Sequence, residues 1–291
     1  MSFRQKLEKG SFVVTGEVTP RKSGSAKGIL KDVKALKDVV DAVNVTDNQR
    51  ACVRASSVAV SKTVLDLGVE PILQATCRDR NRIGLQSDLL GAYLLGLRNV
   101  LALTGDHPSN GDNPGAKPVF DLDAVQLVKA IDGLNHGVDF EGNTFDDKTD
   151  FFIGAAANPG AEDLEVEILR VKNKIEAGAR FFQTQVVYDV DAFKAFMKEV
   201  PSEAKILAGI VPLKSVKMAN FMNEKVPGVN VPKALIDEIG SSKNQVDAGI
   251  SQAAEIIREV KSSCSGVHIM ALGLEERVKD IMALAGLKGK V

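Results

Sequence analysis

The chain has no tryptophan, two tyrosines, three histidines and three cysteines in 291 residues. Cys52, Cys77 and Cys264 lie far apart and form no C-x-x-C pair, so their spacing assembles neither a disulfide framework nor a zinc site. A reduced, cytoplasmic protein is the expectation. An excess of either charge is also missing. Thirty-seven Lys and Arg stand against 38 Asp and Glu, a formal net charge of −1, which leaves no electrostatic footprint for nucleic acid or a membrane surface. No apolar run approaches the roughly 20 residues that span a bilayer, and Met1 to Lys9 lacks the apolar core of a signal peptide. No Ser- or Pro-rich linker divides the chain, so residues 1–291 are expected to form a single domain.

What is present is a strand-and-helix rhythm. Ser11 to Thr19 is β-branched and uncharged except for Glu17, and it precedes an amphipathic helix beginning at Ile29. Strands at Asp41 to Thr46, Glu70 to Thr76 and from Asn99 follow, starting about 29 residues apart, close to the ~30 residues of one βαβ unit. Their helices are expected near Arg54 to Leu67, Arg82 to Leu95 and Leu122 to Gly133. Further strands are expected at Phe151 to Ala156, Arg180 to Val186, Lys205 to Val211 and Gly266 to Ala271. Helices follow at Glu162 to Ala177, Val190 to Lys198, after Pro212, and at Glu275 to Ala285. Two extra helical segments, Pro232 to Ile239 and Asn244 to Ser262, precede the last strand. Eight strands alternating with helices predict an α/β fold with an all-parallel sheet closed as a (β/α)8 TIM barrel.

Such barrels keep their chemistry at the carboxyl ends of the strands. Those ends carry Glu17, Thr46 with Asp47, Gln74 with Thr76, Thr104-Gly105-Asp106, Ala155 to Asn158, Gln183 with Gln185, and Lys214. Glu17 and Asp106 stand out among the amides and hydroxyls, a set that suits a flat heterocycle with many donors and acceptors. Converging His and carboxylate ligands, which a catalytic metal needs, are not among them. Glu17, partly desolvated at the tip of an apolar strand, is suited to give up a proton near neutral pH. It is equally suited to an ion pair with Arg21 or Lys22. Asp106 follows a glycine that lets the backbone approach a ligand, or else it makes a loop turn. Gln185 is either a ligand contact or a satisfied barrel residue, and His268, inside the last strand, reads as packed core.

In order and at suitable spacing, the chain shows Glu17 in Gly-Glu-Val-Thr-Pro-Arg, Thr46 in Val-Asn-Val-Thr-Asp and Thr76-Cys77. Ala102-Leu-Thr-Gly-Asp106, Lys174 in Lys-Ile-Glu-Ala-Gly-Ala, Gln183-Thr-Gln185 and Gly209-Ile-Val-Pro212 follow. Together these resemble the bacterial methylenetetrahydrofolate reductase family. The resemblance implies a flavin-bearing barrel that reduces 5,10-methylenetetrahydrofolate to 5-methyltetrahydrofolate, with FAD as cofactor and FMN as the alternative. It implies Glu17 as general acid, Asp106 near both flavin and pterin, and Gln185 on the folate. It places Thr46, Gln74, Thr104, Gly105, Ala156 and Lys174 along the flavin.

Gln74 stands where many relatives carry His, Thr104 where they carry Arg, and Val216 where they carry a Phe that seats folate and nicotinamide. These departures resemble the short reductases of acetogens, which implies an oligomer and an electron-donating partner subunit, with NAD(P)H as the other donor. The rival readings are a pterin-dependent methyltransferase barrel and a non-catalytic docking subunit of a one-carbon complex.

Overall fold

A computed structural model describes residues 1–226 and 228–289. The chain opens with α1 (Phe3–Glu8) and runs through β1 (Val13–Val18), α2 (Lys27–Leu36), β2 (Ala42–Val45), α3 (Ser57–Asp66), β3 (Pro71–Thr76) and α4 (Arg82–Leu94). It continues with β4 (Asn99–Leu103), α5 (Ala124–Asn135), β5 (Phe152–Ala157), α6 (Leu164–Glu176), β6 (Phe181–Val186) and α7 (Val190–Glu199). Then come β7 (Lys205–Ile210), α8 (Val216–Lys225), α9 (Lys233–Ser241), α10 (Gln245–Val260), β8 (Gly266–Ile269) and α11 (Val278–Leu284). The eight strands pair in chain order, all parallel, and β8 closes on β1, giving the TIM barrel that the alternation predicts. The two extra helices before the last strand are α9 and α10.

Strand alternation splits the apolar residues into two cores. Val14, Val43, Leu73, Val100, Ile153 and Phe182 face the helices. Val13, Ile72, Leu101, Phe152, Phe181 and Leu207 fill the lower half of the barrel. Phe3 and Leu7 of α1 belong to this second core, with Phe3 set edge-on to Phe181 at 5.2 Å and to Phe152 at 5.9 Å between centroids. α1 therefore plugs the amino-terminal mouth. A Ser2 and Gln5 capping box starts it, and Arg4–Asp150 and Lys6–Asp41 ion pairs hold it. Six residues are too few for a helical period to register in a sequence, and α1 was not expected.

Three boundaries differ from the expectation for local reasons. The helix after β2 starts at Ser57, because Arg54 and Ala55 spend their N–H groups on Asn48 Oδ1 and the Arg21 carbonyl. β8 stops at Ile269, where Ala271 accepts from Leu274 in a turn carrying Leu272 at φ 50°. The last helix is broken into a 3₁₀ turn, Glu275–Arg277, and α11.

Candidate active site

Above the apolar plug the barrel interior turns polar. Thr15, Asn44, Gln183 and His268 are all buried there. Over them opens a cavity of about 780 Å³ at the carboxyl ends of the strands. Its wall includes Glu17, Gln74, Thr104, Gly105, Asp106 and Ala156. Lys174 and Gln185 also line it. Thr46 is the exception among the expected site residues: it is buried, lies outside this wall, and its hydroxyl has no partner.

Glu17 is 8% exposed. It pairs with neither basic neighbour, since Arg21 binds Asp32 and Lys22 binds Asp112. Its partners are instead Gln49, whose Nε2 donates to Oε1 at 3.4 Å, and His268, whose Nε2 lies 3.5 Å from Oε2. His268 is therefore not inert core. Its ring sits in the floor of the cavity with Nδ1 at 2.9 Å from Thr15 Oγ1.

Asp106 is exposed at the rim, following Gly105 at φ +89°. A Cβ at that glycine would lie 3.1 Å from Thr76 Cβ and 3.3 Å from Arg78 Cβ, a tight approach on a left-handed backbone that favours glycine. Arg78, 2% exposed, forks onto Asp79 at 2.7 and 2.8 Å. It also donates to the carbonyls of Asn48 at 3.2 Å and Asp106 at 3.4 Å, joining the loops after β2 and β4. Beside it, one oxygen of Asp47 accepts both the N–H and the hydroxyl of Thr76 at 2.9 Å and pairs with Arg80.

Gln185 owes its position to an irregularity. The β6–β7 register shifts between Gln183 and Val186, with Thr184 Oγ1 accepting from Gly209 N at 2.9 Å. Gly209 makes this possible, because a Cβ there would fall 2.4 Å from the Thr184 carbonyl. Such bulges re-aim side chains at functional rims, and Gln185 is exposed to the cavity.

On the β5 side, Lys174 Nζ donates to the Ala156 carbonyl at 2.7 Å. Burial pulls its ammonium below the ordinary lysine value, against the opposing pull of Glu167. The loop after β2 stores strain, with Asn48, Arg50 and Ala51 all left-handed at φ 46°, 59° and 53°, the kind of cost that persists where the surroundings enforce it. This loop holds Gln49 against Glu17, and the Arg50 guanidinium lies 5.9 Å from the Phe221 ring centroid.

His107, His136 and Lys214 stay outside the cavity wall. His107 bonds Ser109 and His136 bonds Asp132, both on the surface. Lys214 donates to the Leu272 carbonyl at 2.8 Å. Among the described residues no three His, Cys, Asp or Glu side chains converge as a metal site, and no helix is long and apolar enough to cross a membrane.

Residues 2–286 match the family of methylenetetrahydrofolate reductase. The chain belongs to the methylenetetrahydrofolate reductase family. Within this family, methylenetetrahydrofolate reductase 1 of Schizosaccharomyces pombe is 27% identical over 235 residues, covering 76% of this chain and 36% of the relative. The 5,10-methylenetetrahydrofolate reductase of Pectobacterium carotovorum is 27% identical over 197 residues, 64% of this chain and 59% of the relative. The chain thus spans about a third of the length of the eukaryotic relative. Among solved structures, a Clostridium thermocellum protein that binds two copies of 5-methyl-5,6,7,8-tetrahydrofolic acid has a TM-score of 0.68 at 18% identity, with 97% of each chain covered. That likeness establishes the shared fold.

Proposed function

We propose that this chain reduces 5,10-methylenetetrahydrofolate to 5-methyltetrahydrofolate, with hydride from a reduced flavin and Glu17 as general acid. The observation that carries the reading is that Glu17, Asp106 and Gln185, from three separate strand ends, line one cavity. The 5-methyltetrahydrofolic acid bound by the Clostridium thermocellum protein is the product this reaction would release.

Ring opening breaks the bond between N10 and the methylene carbon. The electron pair stays on N10, which takes a proton, and the methylene becomes an N5-iminium cation. Glu17, buried in the cavity floor, supplies that proton. Asp106 has no cation on its carboxylate among the described residues, and its negative charge favours the iminium. Gln185 offers an amide to the folate.

The wall suits a flavin on its own chemistry. Gly105 brings backbone close to the cavity and Gln74 offers an amide; outside the wall, Thr46 keeps a buried hydroxyl without a partner. A flavin bound there supplies the hydride. Gln74, Thr104, Gly105, Ala156 and Lys174 would hold it, FAD being the cofactor proposed and FMN the alternative. A partner subunit is a proposed electron donor, with NAD(P)H as the other, because Val216 stands where the resemblance implies the Phe that seats nicotinamide, and it lies outside the cavity wall. The test is anaerobic. The bound cofactor is extracted and identified by mass, and the reduced holoprotein is mixed with 5,10-methylenetetrahydrofolate. Return of flavin absorbance with formation of 5-methyltetrahydrofolate is expected; a protein that retains neither FAD nor FMN sinks the reading.

A further inference from the structure

The polar layer under the cavity forms one connected chain of hydrogen bonds. Asn44 Nδ2 donates to Gln183 Oε1 at 2.5 Å, and Gln183 Nε2 donates back to Asn44 Oδ1 at 3.0 Å. This two-way pair locks the Gln183 amide to that of Asn44. Its Nε2 also donates to Thr15 Oγ1 at 3.4 Å, so the Thr15 hydroxyl already accepts. The hydroxyl proton has two acceptors to choose from: His268 Nδ1 at 2.9 Å and the Val267 carbonyl at 3.5 Å. When it goes to the shorter contact, Nδ1 is the acceptor. An accepting Nδ1 carries no proton, so the proton of the neutral ring sits on Nε2, which faces Glu17 Oε2 at 3.5 Å.

We propose that His268 is a positioning residue for Glu17, held by the Asn44–Gln183–Thr15 chain as the Nε2–H tautomer with that N–H aimed at the carboxylate. The proposal rests on reading Glu17 as the acid. A donor on the charged form stabilises it, so His268 favours the carboxylate that remains once Glu17 has passed its proton to N10. Gln49 steadies the other oxygen. A separation of 3.5 Å is long for a finished hydrogen bond, and such contacts tighten when the reacting complex forms. Strand β8 lies between β1 and β7, and His268 is level with Thr15 on one side and Gly209 on the other. Among the described residues, Glu17 is the one ionisable group that His268 contacts, and no Lys or Arg pairs with either.

The test uses the holoprotein labelled with 15N-histidine, in which His268 is identified by the signal lost in His268→Gln. The expected spectrum shows a bare Nδ1 and a protonated Nε2 for His268, with Thr15→Val moving the ring toward the opposite tautomer while His107 and His136 stay put. In single-turnover methyl formation His268→Leu is expected to be about 10- to 100-fold slower, with its acid–base limb moved to higher pH. His268→Gln, which keeps an N–H donor, restores most of the rate. A protonated Nδ1, or a His268→Leu protein with wild-type rate and pH profile beside a crippled Glu17→Gln, overturns the positioning role and leaves Glu17 standing as the acid. Full activity in Glu17→Gln overturns the reading of Glu17 and the proposal with it.

Discussion

The Lys174 ammonium donates to the main-chain carbonyl of Ala156 at 2.7 Å, tying the last turn of α6 to the end of β5 in the cavity wall. Burial holds this lysine below its usual 10.5. Between the lowered value and 10.5 the unfolded chain binds more protons than the folded one, so this group's contribution to stability rises with pH. The stability difference between wild type and Lys174→Met is therefore expected to grow in favour of wild type as pH climbs through that window. Urea unfolding of both proteins across the alkaline range measures it, and a flat difference contradicts a buried, partly desolvated ammonium.

Asp47 is expected to be the costliest rim carboxylate to remove. It is 6% exposed and serves Thr76 twice and Arg80 once. Asp47→Ala strips a half-buried cation of one partner, although Asp88 still binds Arg80 at 2.9 Å. A loss of about 2–3 kcal/mol is expected in chemical denaturation. A loss below about 0.5 kcal/mol, the range of ordinary surface changes, contradicts the network.

Gly105→Ala is expected to cost about 1–2 kcal/mol, because the left-handed backbone and the neighbouring Thr76 and Arg78 both oppose a Cβ. The same shift displaces Asp106. A lowered Tm together with weakened flavin retention is the expected pair of results, and an unchanged Tm contradicts the close approach.

The cysteines are expected to differ sharply toward iodoacetamide. Burial pushes the Cys77 thiol up to about 12 and the Cys264 thiol up to about 11, which leaves roughly one thiolate in 10⁴ for Cys77 near pH 8. Cys52 is partly exposed. Peptide mass analysis is expected to find label on Cys52 in the native protein and on Cys77 after denaturation. Early native labelling of Cys77 contradicts its burial.

Much of the fold was legible because each strand is a run covered on both faces that ends in a polar tip. The same tips exposed Glu17, Asp106, Gln74 and Gln185 as candidates. His268 was not legible, since a lone histidine in an apolar strand looks like core. Its meaning depends on the register that sets it beside Thr15, and only barrel closure between β8 and β1 decides that register. Gln49 and Arg78 escaped for a related reason: Glu17, and the Asn48 and Asp106 carbonyls that Arg78 joins, are distant in sequence, and residues 48, 50 and 51 are left-handed without a glycine to mark the turn. The tripeptide Arg78-Asp79-Arg80, directly after a strand tip, was the one available signal. Thr46, which the resemblance places along the flavin, is buried outside the cavity wall.

The central claim, that Glu17 delivers the proton that opens the ring, is tested most directly by stopped-flow reoxidation of photoreduced Glu17→Gln holoprotein with 5,10-methylenetetrahydrofolate. The account predicts a flavin content equal to wild type and reoxidation slower by about 10²–10⁴-fold. Reoxidation at the wild-type rate, with 5-methyltetrahydrofolate as the product, would contradict it.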